Sequence, residues 1–105
     1  MNTLALLTDA IQRRKPITFE YVATGRAVGL RYGNPHAVFI DTNENINAHI
    51  WKTGGVSTEP TTYPDWRKYI VKQIVNVRVL EQQSFELAPG YNPHSKIYER
   101  VIVKI

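Results

Sequence analysis

The stretch that most constrains this chain is Trp66–Leu80, which reads WRKYIVKQIVNVRVL. It is the densest run of β-branched and aromatic residues in the sequence, the types that fit a pleated, half-buried strand. It also carries Arg67, Lys68, Lys72 and Arg78, with no acid between Asp65 and Glu81. A run like this needs a partner sheet. Arg67–Lys72 reads as one strand, with Arg67, Tyr69 and Val71 on one face. Gln73–Asn76 reads as a tight turn and Val77–Gln82 as the last strand of a small barrel.

The preceding segments supply the partners. Leu4, Leu7, Ala10 and Ile11 recur at helical spacing and predict a helix over residues 3–15. Asn2 or Thr3 can cap its start, and Pro16 ends it. Its polar face carries Thr8 and Asp9, which suits a lid on a sheet better than a membrane anchor. Ile17, Phe19 and Tyr21 alternate with Thr18 and Glu20, the pattern of a half-buried strand over 17–22. Residues 23–25 form a turn, and 26–32 read as the returning strand. Gly33-Asn34-Pro35 then reads as an interruption. Residues 36–40 and 46–51 form a second hairpin about a polar turn. Lys52–Asp65, with Gly54, Gly55, Pro60 and Pro64, reads as a long loop of the kind that carries function. After a Pro-Gly loop at 89–93, Tyr98–Ile105 reads as a strand that pairs within the domain or with another copy.

A chain of 105 residues predicts one domain with a modest core: helix 3–15, barrel 17–82 and C-terminal extension 84–105. The absence of cysteine excludes disulfides and thiolate metal sites and fits a reducing compartment. No apolar run approaches the ~18 residues of a membrane span, and the Leu4–Leu7 run is too short for a signal peptide. A cytoplasmic location is expected, with no membrane partner. A net charge of +4 permits an anionic partner without demanding one. His36, His49 and His94 lie on different segments without metal-ligand spacing, so neither metal nor cofactor is expected. Gly54-Gly55 lacks the Lys-Ser/Thr of a phosphate-binding loop, no G-x-S-x-G is present, and the acids are scattered. Nothing here predicts an enzyme.

One helix followed by five or six short strands predicts a mainly β (α+β) fold closing into a small barrel. Ala10-Ile11, Tyr21, and Arg31 with Pro35, followed by Arg67, Tyr69, Val71, Ile74 and Val77, resemble the pattern of the WYL domain family. Asn34-Pro35-His36, Gly55-x-Ser57 and Trp66-Arg67 look like a variant branch of it. The resemblance runs roughly from Leu4 to Phe85. The Trp-Tyr-Leu tripeptide that names the family is absent, and its place near Ile46–His49 reads Ile-Asn-Ala-His. Lys72 and Gln73 stand where the family's last pattern has Asp and Arg. The resemblance implies an SH3-like or Sm-like barrel. It also implies a regulatory module of prokaryotic or phage proteins that senses nucleotide-like or nucleic-acid ligands, here free-standing without a helix-turn-helix.

Within that resemblance, Arg31 and Arg67 are the positions kept cationic. A guanidinium binds phosphate bidentately, and a neighbouring aromatic stacks a base. The strand plan puts His36, His49, Trp51 and Lys52 near these arginines. The expected site is therefore Arg31, Arg67, His36, Trp51, Lys52 and His49, facing single-stranded nucleic acid or a nucleotide-like ligand. Other readings of the same residues make Trp66 and Tyr69 core, and pair Arg67 with Asp65 or Glu20. A different functional class is an assembly domain whose C-terminal strand adds to another chain's sheet, giving a homo-oligomer.

Overall fold

A computed structural model describes residues 2–58 and 62–105. Helix α1 runs over Thr3–Arg13, two residues shorter at its end than the pattern predicts. The Asn2 side chain accepts from the Ala5 amide at 2.8 Å, satisfying a donor that would otherwise be orphaned. Arg14 takes a left-handed conformation (φ 53°) and closes the last turn just before Pro16 forbids another. Leu7, Ala10 and Ile11 are buried against the sheet. Burying side chains of this size contributes about 1.5–3 kcal/mol for each large one.

The sheet has six antiparallel strands: β1 (Ile17–Tyr21), β2 (Arg31–Ile40), β3 (Ile46–Gly55), β4 (Asp65–Ile70), β5 (Ile74–Val79) and β6 (Val101–Lys104). Their order is β4-β3-β2-β1-β5, with β6 added to β2. The fold is mainly β with an N-terminal helix, as expected. The expected closed barrel is not formed: among the described residues no ladder joins β4 to β5. A one-turn 3₁₀ helix, Val71–Gln73, connects them instead. It sits two residues earlier than the turn read at 73–76, so β5 begins at Ile74. The Tyr21 hydroxyl bridges the junction by accepting from the Ile70 amide at 3.1 Å.

Two further expectations change. Gly33-Asn34-Pro35 does not separate two strands but lies inside the ten-residue β2. Proline has no N–H to donate. On one side of β2, β1 pairs with Arg31–Gly33 and β6 with Ala37–Phe39, so Pro35 falls in the interval between them. On the other side, β2 pairs with β3 along its length, with Pro35 opposite Ile50 and Ala37 opposite His49. His36 is thus the extra residue of a β-bulge, a device that re-aims a side chain. The C-terminal strand is confined to Val101–Lys104 and pairs with β2 of the same chain.

The sheet is covered on both faces. On one face, α1 closes a core containing Ile17, Phe19, Tyr21, Val38, Ala48, Ile50 and Tyr69. On the other face, the segment between β5 and β6 lies as a strap over Ala37 and Phe39, held by Tyr98 and Tyr91. No helix among the described residues is long and apolar enough to cross a membrane.

Candidate functional site

Strand alternation divides the six expected site residues between the two faces. Cross-strand pairs set Ile50 opposite Arg67 and Ala48 opposite Tyr69, all on the helix side. The next inward position of β3 after Ala48 and Ile50 is Lys52. Because β3 continues to Gly55, Lys52 is a strand residue and not the start of a loop. Arg31 pairs with Phe19 of β1 and projects onto the same face. Arg31, Lys52 and Arg67 therefore come together. Trp51 pairs with Trp66 and His49 with Lys68, on the strap side. The bulge aims His36 there too. The expected nearness of His36, His49 and Trp51 to the arginines does not occur, because residues i and i+1 of a strand face opposite ways.

The helix-side cluster is rich in donors. Arg31 is 3% exposed and Lys52 is fully buried. The Arg31 guanidinium lies 5.8 Å from the Tyr21 ring centroid and 5.6 Å from that of Tyr69. It donates to the Ala27 carbonyl at 2.9 Å and makes a long contact of 3.4 Å with the Tyr69 hydroxyl. Its Nε is buried and has no partner among the described residues. Lys52 Nζ donates to the Val56 carbonyl and, at 2.9 Å, to the Tyr63 hydroxyl. The Tyr63 hydroxyl in turn donates to the Gly55 carbonyl at 2.8 Å. Arg67 is half-buried and paired with Asp65. Among the described residues no carboxylate pairs with Arg31 or Lys52.

This crowding acts on the titratable groups. Burial pushes the Lys52 amine below the ordinary lysine range, and the charges of Arg31 and Arg67 push the same way against the Tyr63 hydrogen bond. Burial likewise raises the Tyr69 phenol, opposed by Arg31. Two loops cover the cluster. The Ala27 amide donates to the Thr58 hydroxyl at 2.9 Å, and the Val56 amide to the Leu30 carbonyl at 2.9 Å. A concavity of about 590 Å³ runs along the outside of the first loop, bordered by Tyr21, Val28 and Gly29. The expected loop at 52–65 is shortened to the residues after Gly55, and its Pro60 lies outside the described residues.

The strap side uses its polar groups differently. His36 Nδ1 donates to the Asn34 carbonyl at 2.7 Å, and Nε2 accepts from the Ala88 amide at 3.1 Å. This arrangement requires the neutral ring. Burial depresses its pKa to about 4, with a smaller contribution from His49. The Asn34 side chain accepts from the Glu86 amide at 2.9 Å. His49 meets the Tyr98 hydroxyl at 2.8 Å and stacks on Trp66 at 4.8 Å. Trp51 packs edge-on to Trp66, and its Nε1 is buried without a partner. A groove of about 360 Å³ opens on this side, but Asp41 and Glu99 line it together with Lys68, Lys96 and Arg100, so its charge is mixed.

No group of three or more histidine and carboxylate side chains suited to a metal occurs among the described residues. Neither a protein-family model nor a curated protein matches the chain. Sequence reasoning did not place Tyr21, Tyr63 or Tyr69 at the site. Tyr21 and Tyr69 could have been found, since each follows the alternation that turns Arg31 and Arg67 inward. Tyr63 carries no such signal.

Proposed function

We propose that this chain is a non-enzymatic, WYL-type regulatory domain that binds an anionic ligand at Arg31, Lys52 and Arg67. The ligand is a nucleotide-like phosphate compound or the backbone of single-stranded nucleic acid. The observation that carries this reading is the surplus of buried donors. Among the described residues, Arg31 and Lys52 are withdrawn from solvent with only carbonyl and phenol acceptors, and Arg31 Nε has no partner. Buried polar groups are normally satisfied, and an unsatisfied buried donor costs about 1–3 kcal/mol. A group made only of acceptors, such as phosphate, answers such a surplus bidentately. Binding exchanges the Ala27 and Val56 carbonyls for the ligand's oxygens and draws the two covering loops aside. His36, His49 and Trp51 have no ligand role in this reading.

Calorimetric titration with inorganic phosphate, mononucleotides and short single-stranded oligonucleotides tests it, at low and moderate salt. The expected result is saturable binding that weakens with salt and falls by at least about tenfold in Arg31→Met and Lys52→Met. Absence of saturable binding to every probe overturns the reading. So does binding that both variants leave intact.

A further inference from the structure

Of the three residues in the proposed anion site, Lys52 alone brings an amine as well as a donor to the ligand. Two guanidiniums already supply the fork geometry that a carboxylate or phosphate needs. Lys52 adds a nitrogen that is 0% exposed and held by one backbone carbonyl and one phenol, near enough to both arginines for their charges to act on it. Burial lowers the amine's pKa, and the two like charges add to this against the Tyr63 hydrogen bond, which raises it. In its unprotonated form this amine, in contact with the Tyr63 hydroxyl at 2.9 Å and beside fixed cations, is a nucleophile toward carbonyl carbon.

We infer that Lys52 captures a carbonyl-bearing anion, a 2-oxo acid or an aldehyde carrying carboxylate or phosphate, as an imine, with the anionic group seated on Arg31 and Arg67. This deepens the function proposed above and rests on its anion site. The amine lone pair adds to the carbonyl carbon, forming the C–N bond and placing the C=O π pair on oxygen. The carbinolamine then loses its hydroxyl as water. Tyr63, in contact with Nζ at 2.9 Å, supplies a proton to that leaving hydroxyl and regains one from nitrogen. Across the reaction, the two amine hydrogens and the carbonyl oxygen depart as water, a C=N bond forms, and nothing is oxidised or reduced. The ligand reaches Nζ only when the Val56 carbonyl is displaced.

Reductive trapping tests this on the full chain. The protein is incubated near neutral pH with glyoxylate and cyanoborohydride, and its peptides are mapped by mass. Expected is a carboxymethyl group on Lys52 in preference to Lys15, Lys68, Lys72, Lys96 and Lys104. The preference should be severalfold at the least. Excess inorganic phosphate should suppress labelling of Lys52 severalfold and leave the other lysines unchanged. Labelling confined to the other lysines overturns the inference. Calorimetry with phosphate on the same protein separates the two ideas. If phosphate binds and Lys52 takes no label, the imine is rejected and the anion site stands. If Lys52 takes label but phosphate neither binds nor protects, the anion site is rejected, and with it the seating on Arg31 and Arg67. Labelling of Lys52 that persists after denaturation in urea at the same rate also overturns the inference, because it then owes nothing to the fold.

Discussion

On the strap face, Asn34 and His36 are as deeply buried as Arg31 and Lys52 are on the helix face. The two pairs keep different company. Both ring nitrogens of His36 are engaged, and the Asn34 carboxamide holds the Glu86 amide, so the strap is hydrogen-bonded to the sheet by side chains in a place where no strand runs. Trp51 Nε1 is that face's one buried side-chain donor without a partner among the described residues. On the helix face Arg67 is paired with Asp65, but among the described residues Arg31 and Lys52 meet only carbonyls and phenols, and Arg31 Nε meets nothing. Satisfied buried polar groups rigidify a particular packing, whereas a partly satisfied group costs stability unless something else completes it. The comparison separates polar residues that build the fold from those that await a partner.

Removing the strap is the harshest way to break this contrast. A chain ending at Gln83 exposes Phe39, His36 and Trp66 and loses β6. Urea unfolding should register the loss of cooperative folding, or a drop of more than about 4 kcal/mol. A truncated chain that unfolds cooperatively within about 1 kcal/mol of the parent would show that the strap face is not part of the core.

Acid is the next largest probe. The folded-state pKa of His36 lies below its ordinary value of 6.5, at about 4. Its contribution is therefore complete above pH 6.5 and is lost as pH falls toward 4, where the unfolded chain binds the proton first. The depression corresponds to roughly 3 kcal/mol. His49, also lowered by burial, acts in the same direction. Asp9, Asp41 and Glu81 are held below their ordinary values and so contribute at lower pH. A series of urea midpoints between pH 7 and 4.5 should thus slope downward in the parent and flatten in His36→Gln. Equal slopes would remove His36 from the account.

Asn34→Ala should cost less, about 1–3 kcal/mol, because it strands the Glu86 amide without removing the strap. Lys52→Met gives the smallest effect and the sharpest contrast. Replacing a buried charge by an apolar side chain of similar length should leave stability within about 1 kcal/mol or raise it, while abolishing anion binding. A loss of several kcal/mol would mean that Lys52 is architecture like His36, and the distinction between the faces would collapse.

The elements that period-two alternation governs were legible. Ile17, Phe19 and Tyr21 turn inward together, and the helix stripe of Leu7, Ala10 and Ile11 packs as its spacing predicts. The misreadings share a cause. Pro35 reads as a breaker because the absence of a neighbour at one position of a strand edge is a tertiary fact with no local signature. Gly54 and Gly55 suggested a loop at Lys52, yet continuing the alternation Ala48, Ile50, Lys52 would have placed that amine on the core face. For the site, Arg31, Lys52 and Arg67 were brought together, and the aromatic half was not. His49 and Trp51 lie across the sheet because they alternate with Ala48, Ile50 and Lys52, and a single bulged residue turns His36 to the same face.

The divided edge of β2 carries a kinetic consequence. Its first residues pair with β1, while its last residues pair with β6, contributed from the far end of the sequence. Closing the longer loop is entropically the harder step, so β6 and the strap dock last in folding and open first from the native state. Amide hydrogen exchange should then be graded along one strand. The Ile40 amide, bonded to the Arg100 carbonyl, should exchange with the strap, and the residues facing β1 should exchange only with global unfolding. Two cooperative units would meet within a single strand, with the bulge at His36 as their boundary.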